Sequence, residues 1–122
     1  MGNFKMITSI EWISVLKSKV SVQSDYAIAK LLGVSSATLS SYRTRKTFLD
    51  KIVCNRIAFL IEIDPKYLYV STHYERAQSP EEMQVWMSLW EAIEGPQLEE
   101  NIRENLDSKW LMPAVRMMRC MA

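Results

Sequence analysis

The chain has 122 residues, 48% of them hydrophobic, and a formal net charge of +1. That is room for one domain, or a small domain with an appendage, and too apolar for disorder throughout. The near-neutral total hides a division. Residues 1–76 hold eleven Lys/Arg against six Asp/Glu, and residues 77–122 hold four against eight, which points to polyanion binding by the first part and a separate task for the second.

Thr8 or Ser9 can cap a first helix over roughly 9–19, where Ile10, Ile13, Leu16 and Val20 follow helical spacing with Trp12 alongside. After the polar segment SVQS, the stretch DYAIAKLLGVSSATLSSYRT (25–44) predicts two short helices, 25–32 and 36–43, joined by a tight turn. Ala29 is small where the helices approach, and Gly33 falls where the chain must take φ > 0 to leave the first helix. Ser35 is an N-cap for the second helix, and Ile28, Leu32, Val34, Leu39 and Tyr42 supply the apolar contacts.

The following loop, TRKTFL, carries Arg45 and Lys46 and is expected to bury Phe48 or Leu49. Asp50 caps a fourth helix, 51–62, with the stripe Val53, Cys54, Ile57, Leu60 and Ile61. Asp64-Pro65 starts a fifth, from Pro65 to about Ala77. Ser79-Pro80-Glu81-Glu82 is a capping box in which Glu82 would reach the Ser79 backbone N–H. The helix it opens carries Met83, Trp86, Met87, Trp90 and Ile93, widened by Val85 and Leu89, and Gly95-Pro96 is expected to end it. A last helix over about 97–111 places Leu98, Ile102, Leu106 and Trp110 on one stripe, and the tail PAVRMMRCMA has no clear period.

Of the two cysteines, Cys54 reads as a small core residue and Cys120 as an exposed thiol. With no CxxC and one histidine, no metal or cofactor site is expected, and a reducing cytoplasm fits best. The N-terminal stretch, interrupted by Glu11, is a poor signal peptide, and Met6 stands where a myristoylation motif needs Ser or Thr. No apolar run of about 18 residues is present to span a membrane. His73 has no nucleophile or second base beside it in sequence, so it reads as a surface or interface residue and no catalytic set is expected.

The 25–44 stretch resembles the Cro/repressor-type (XRE-like) helix-turn-helix regulators of bacteria and their phages. Counting Asp25 as the first motif position, Ala29 and Gly33 stand at the fifth and ninth places. Leu32, Val34, Leu39 and Tyr42 fill the apolar eighth, tenth, fifteenth and eighteenth. The resemblance covers roughly 8–71 and implies a five-helix domain whose third helix enters the DNA major groove. It implies base reading by Ser36, Ala37 and Ser41, with Ser40 on the same exposed face. Family members often carry Gln or Asn there, and serine and alanine imply soft direct readout. Arg43, Thr44, Arg45 and Lys46 follow within reach of phosphates, and Gln23 and Ser24 match positions that contact the DNA backbone.

The expectation is an all-α regulator of phage or mobile-element type in a bacterial cytoplasm, with residues 1–77 binding double-stranded DNA. Residues 78–122 would form an acidic helical appendage that joins a homodimer or binds a second protein through Trp86, Trp90, Ile102, Leu106 and Trp110. The alternative is an interaction module, such as an antirepressor or antitoxin, acting through those acidic helices.

Overall fold

Hydrogen-bonding side chains set where most helices of this chain begin. The computed structural model describes residues 6–107, which are all-helical: seven α-helices and, among the described residues, no strand. They are α1 (Ser9–Val20), α2 (Asp25–Leu32), α3 (Ser36–Arg43), α4 (Lys51–Ile61), α5 (Lys66–Arg76), α6 (Pro80–Ala92) and α7 (Gly95–Asp107). Thr8 and Glu11 form a reciprocal capping box at α1. Ser24, Ser35, Asp50 and Ser79 each accept the backbone N–H three residues on, satisfying a donor with no partner inside the helix. At α5 the Asp64 carboxylate accepts the Lys66 N–H at 2.9 Å while Pro65 is already helical, at φ −62° and ψ −14°.

Two expectations about helix ends need correction. Glu82 does not reach the Ser79 N–H; its carboxylate accepts from Gln78 at 3.4 Å, and only the Ser79 half of the box forms as expected. Gly95-Pro96 does not end α6 either. Glu94 takes the left-handed conformation, at φ 63°, and Gly95 opens α7 two residues earlier than expected. Gly95 is glycine for closeness, since a Cβ there would run into the Trp90 indole.

One apolar core joins the helices. Trp12 and Leu16 of α1, Ile28 of α2, Leu39 of α3, Ile57 of α4 and Leu68 of α5 are all buried in it. Of the loop pair, Leu49 is fully buried and Phe48 half-buried. Cys54 is a buried core thiol, 3.6 Å from the Thr72 hydroxyl, and burial pushes its pKa up.

The C-terminal helices return onto this core. α6 packs along α5, with Trp90 edge-on to Tyr67 at 6.1 Å and Trp86 stacked on His73 at 4.5 Å. α7 crosses to α1, where Ile102 joins the core and Arg103 bridges Glu99 at 2.9 Å and Glu11 at 3.2 Å. Burial alone would raise the Glu11 pKa, but hydrogen bonds from the Thr8 N–H and Arg103 outweigh it and hold it below the ordinary value. For Glu99 burial wins over Arg103, and its pKa is raised.

Two outcomes follow for the C-terminal part. Gly95→Ala should destabilise the fold by about 1–3 kcal/mol by overpacking the indole, and Trp90→Ala by about 3–5 kcal/mol, both read as a lower thermal midpoint. In a carboxyl NMR titration, Glu11 should titrate below and Glu99 above an ordinary glutamate. The Glu11 contribution to stability is thus lost as pH falls through its folded pKa, whereas that of Glu99 is present at low pH and lost as pH rises through its own.

Candidate nucleic-acid interface

The α2–α3 pair is held by three features. Ala29 is buried where the helices approach, and Gly33 turns the chain at φ 73°. The Val34 and Gly33 N–H groups bond back to Ala29 and Lys30 carbonyls, closing α2 in a Schellman pattern. Arg56 of α4 donates to the Leu32 carbonyl at 2.8 Å, and its guanidinium occupies the space that a Cβ at Gly33 would need. The turn is therefore fixed both by backbone conformation and by a cation lying over it.

α3 divides cleanly into two faces. Leu39 and Tyr42 are buried inward, and burial, with Asp50 and Cys54 nearby, pushes the Tyr42 hydroxyl up to about 12. Ser36, Ala37 and Ser40 are exposed together on the outer face. Ser41 is half-buried, and its hydroxyl donates to the Ala37 carbonyl at 3.1 Å. Of the four residues expected on the outer face, Ser41 thus sits at its edge with its donor already engaged.

The backbone beyond α3 is also set by hydrogen bonds. Arg45 takes the left-handed position, at φ 63°, while its N–H bonds to Tyr42 and that of Lys46 to Ser41. The Thr44 hydroxyl is spent on the Ser40 and Ser41 carbonyls. The loop then ends on a part-buried knot. The Ser9 hydroxyl donates to Glu75 at 2.8 Å and accepts the Leu49 N–H at 3.1 Å, while Arg76 donates to the Leu49 carbonyl at 2.9 Å. Arg45 lines a cleft with Met6, Thr8, Tyr74 and Glu75, and Lys46 is exposed. Gln23 and Ser24 are exposed ahead of α2, and the Ser24 hydroxyl serves as the helix cap.

Arg43 is placed differently from its neighbours. It holds Asp25 through both terminal nitrogens, at 2.7 and 2.8 Å, and Lys17 of α1 holds the same carboxylate at 2.6 Å. Hydrogen bonds from Arg43 and then Lys17 keep Asp25 well below the usual carboxylate range. The sequence reading missed both Lys17 and the role of Asp25. They meet only when α1 is laid against the start of α2, and no local spacing signals that.

Two of the five residues expected at an oligomer or partner interface lie inside the fold. Trp90 is 0% exposed and packs on Tyr67 and Gly95, and Ile102 belongs to the core shared with α1. Trp86 is half-buried against His73. The Leu106 side chain and Trp110 lie outside the described residues, as does Cys120. Among the described residues, the large apolar side chains left exposed are Met83, Val85 and Leu89 on α6, Tyr26 and Leu31 on α2, and Ile52 and Phe59 on α4. No helix among the described residues is long and apolar enough to cross a membrane.

Comparison with known proteins adds one likeness. No protein-family model matches the chain, and no solved structure matches it. Over 40 residues, 33% of the chain, it is 48% identical to "Uncharacterized protein Gp-c" of Pseudoalteromonas phage PM2. The match spans 44% of that protein's length.

Arg45 offers a test of conformation against charge. Arg45→Gly should stabilise the protein by about 1 kcal/mol, because glycine takes the left-handed position without the Cβ penalty. If Arg45 meets phosphate, the same change should weaken binding to a duplex. A raised thermal midpoint with reduced retention on a DNA column is the expected pair of results.

Proposed function

We propose that the chain is a double-stranded DNA-binding transcriptional regulator of the Cro/repressor helix-turn-helix type, from a phage or mobile element and acting as a repressor in the bacterial cytoplasm. In this reading α1–α5 form the DNA-binding domain and α3 docks in the major groove. Ser36, Ala37 and Ser40 face base edges, with Ser41 at the margin. Gln23, Ser24, Arg45 and Lys46 meet phosphates, while Thr44, its hydroxyl proton held by α3 carbonyls, does not. Mechanism is occupancy, without catalysis: phosphate contacts position α3, and bound protein blocks polymerase.

The observation that carries the reading is the exposed outer face of α3. A helix of eight residues buries Leu39 and Tyr42 and leaves Ser36, Ala37 and Ser40 uncovered together, beside a loop presenting Arg45 and Lys46. That uncovered small-residue face beside cations leaves room for a duplex to approach. Its width suits a major groove, and its side chains offer hydroxyl groups and a methyl rather than long amides. The partial likeness to a phage protein agrees with the mobile-element origin.

Gel shifts with mixed-sequence duplex across a salt series test this. Four to six phosphate contacts per subunit give a log–log slope of about −4 to −5. Binding indifferent to salt, or none at low salt, would overturn it. Arg45→Ala with Lys46→Ala should weaken binding to every sequence alike and flatten the slope by about one per lost contact.

A homodimer is part of the same proposal, because soft base contacts gain affinity when a second subunit binds the same duplex. Trp90 and Ile102 lie inside the fold, but among the described residues the outer face of α6 leaves Val85 and Leu89 exposed among Glu81, Glu82 and Glu91. Two recognition helices about 34 Å apart would then favour inverted-repeat sites. Sedimentation at micromolar concentration should give a dimer, and Val85→Glu with Leu89→Glu a folded monomer. A native chain that is already monomeric favours the second reading, an antirepressor or antitoxin module that offers this acidic-apolar face to a different protein.

A further inference from the structure

Arg43 is the only charged residue of α3, and in the free protein its charge is already answered. Asp25 takes both terminal nitrogens of the guanidinium in a two-point contact, and Lys17 approaches the same carboxylate from α1. The cluster is at the surface, with the Asp25 side chain 39% exposed. A competing anion can therefore reach Arg43 without any part of the core opening. A phosphodiester presents two oxygens with much the same spacing as a carboxylate and accepts the same fork of donors.

We propose that Asp25 is a displaceable stand-in for a DNA phosphate. Its carboxylate occupies the anion position on Arg43 in the free protein, and a phosphodiester of the duplex takes that position in the complex. This rests on the DNA-binding reading and adds to it an affinity-setting residue that opposes binding. Exposed ion pairs contribute little to stability, so the exchange needs no large reorganisation. While it stands, however, the carboxylate cancels a cation and repels incoming phosphate. Generic duplex binds weakly as a result, and the contacts of the serine face count for more in selecting a site.

The test measures duplex affinity of the full chain, native and Asp25→Asn, from about 50 to 200 mM salt. Removing the competing charge should raise affinity for mixed-sequence duplex roughly three- to tenfold at 0.1 M salt and steepen the slope by about one, the value of one phosphate contact. Asp25→Ser should give the same gain, so that a folding defect in one variant does not decide the matter. Arg43→Ala should abolish the gain in the Asp25→Asn background, while in the native background it should reduce affinity less. If native protein binds and both Asp25 variants bind equally or more weakly, Asp25 orients Arg43 instead, and the proposal is overturned with DNA binding left standing. If neither native protein nor variants bind duplex at 50 mM salt, the DNA-binding reading fails and this proposal falls with it.

Discussion

Ser9 sits buried at the start of α1 with its hydroxyl between the Glu75 carboxylate and the Leu49 N–H, while its own N–H also reaches Glu75, at 2.9 Å. Nearby, the Trp12 indole donates to Ser71 at 2.8 Å in a fully buried contact. These bonds tie α1, α5 and the end of the α3–α4 loop together across sequence separations of 40, 59 and 66 residues. A buried hydroxyl or N–H without a partner costs roughly 1–3 kcal/mol, so the three elements are held to one arrangement. The loop bearing Arg45 and Lys46 is thereby anchored at its far end, and its near end is closed by bonds to Tyr42 and Ser41.

That anchoring gives the α2–α3 pair its electrostatic surroundings. Laying α1 against the start of α2 brings Lys17 to Asp25, and packing α3 across α2 brings Arg43 to the same carboxylate. On the opposite end of α2, Arg56 reaches the Leu32 carbonyl from α4 and lies over Gly33. A cation near a helix C-terminus favours the exposed carbonyls there. Charges from other helices therefore meet both ends of α2, and the basic excess of residues 1–76 is less available to a ligand than its count suggests.

The C-terminal helices show how one apolar stripe supports two readings. The residues at 83–93 have the spacing of a packed helix and the composition of an interface. The fold resolves this side chain by side chain: Trp90 turns inward onto Tyr67 and Gly95, whereas Val85 and Leu89 remain outside. α7 then carries Ile102 into the common core and joins Glu11 through Arg103, so α6 and α7 share the stability of the helices before them.

By itself the sequence determined the helices, since caps, glycine at φ 73° and apolar spacing act within a few residues of one another. Ser24, Ser35, Asp50 and Ser79 cap where their residue types predict, and Ile28, Leu39 and Ile57 point inward as their spacing requires. The exposure of Ser36, Ala37 and Ser40 was legible for the same reason. Only the tertiary structure decided that Gly95 makes room for an indole, that Glu94 takes the left-handed turn, and that Ser9 and Glu75 form a part-buried knot. It alone decided that Arg43 meets Asp25 and Lys17. The Ser9–Glu75 and Asp25–Arg43 contacts, 66 and 18 residues apart, depend on which helices touch and leave no periodicity to read; the Gly95 and Glu94 features are local, but the Gly-Pro pair reads as a helix stop and so hides them.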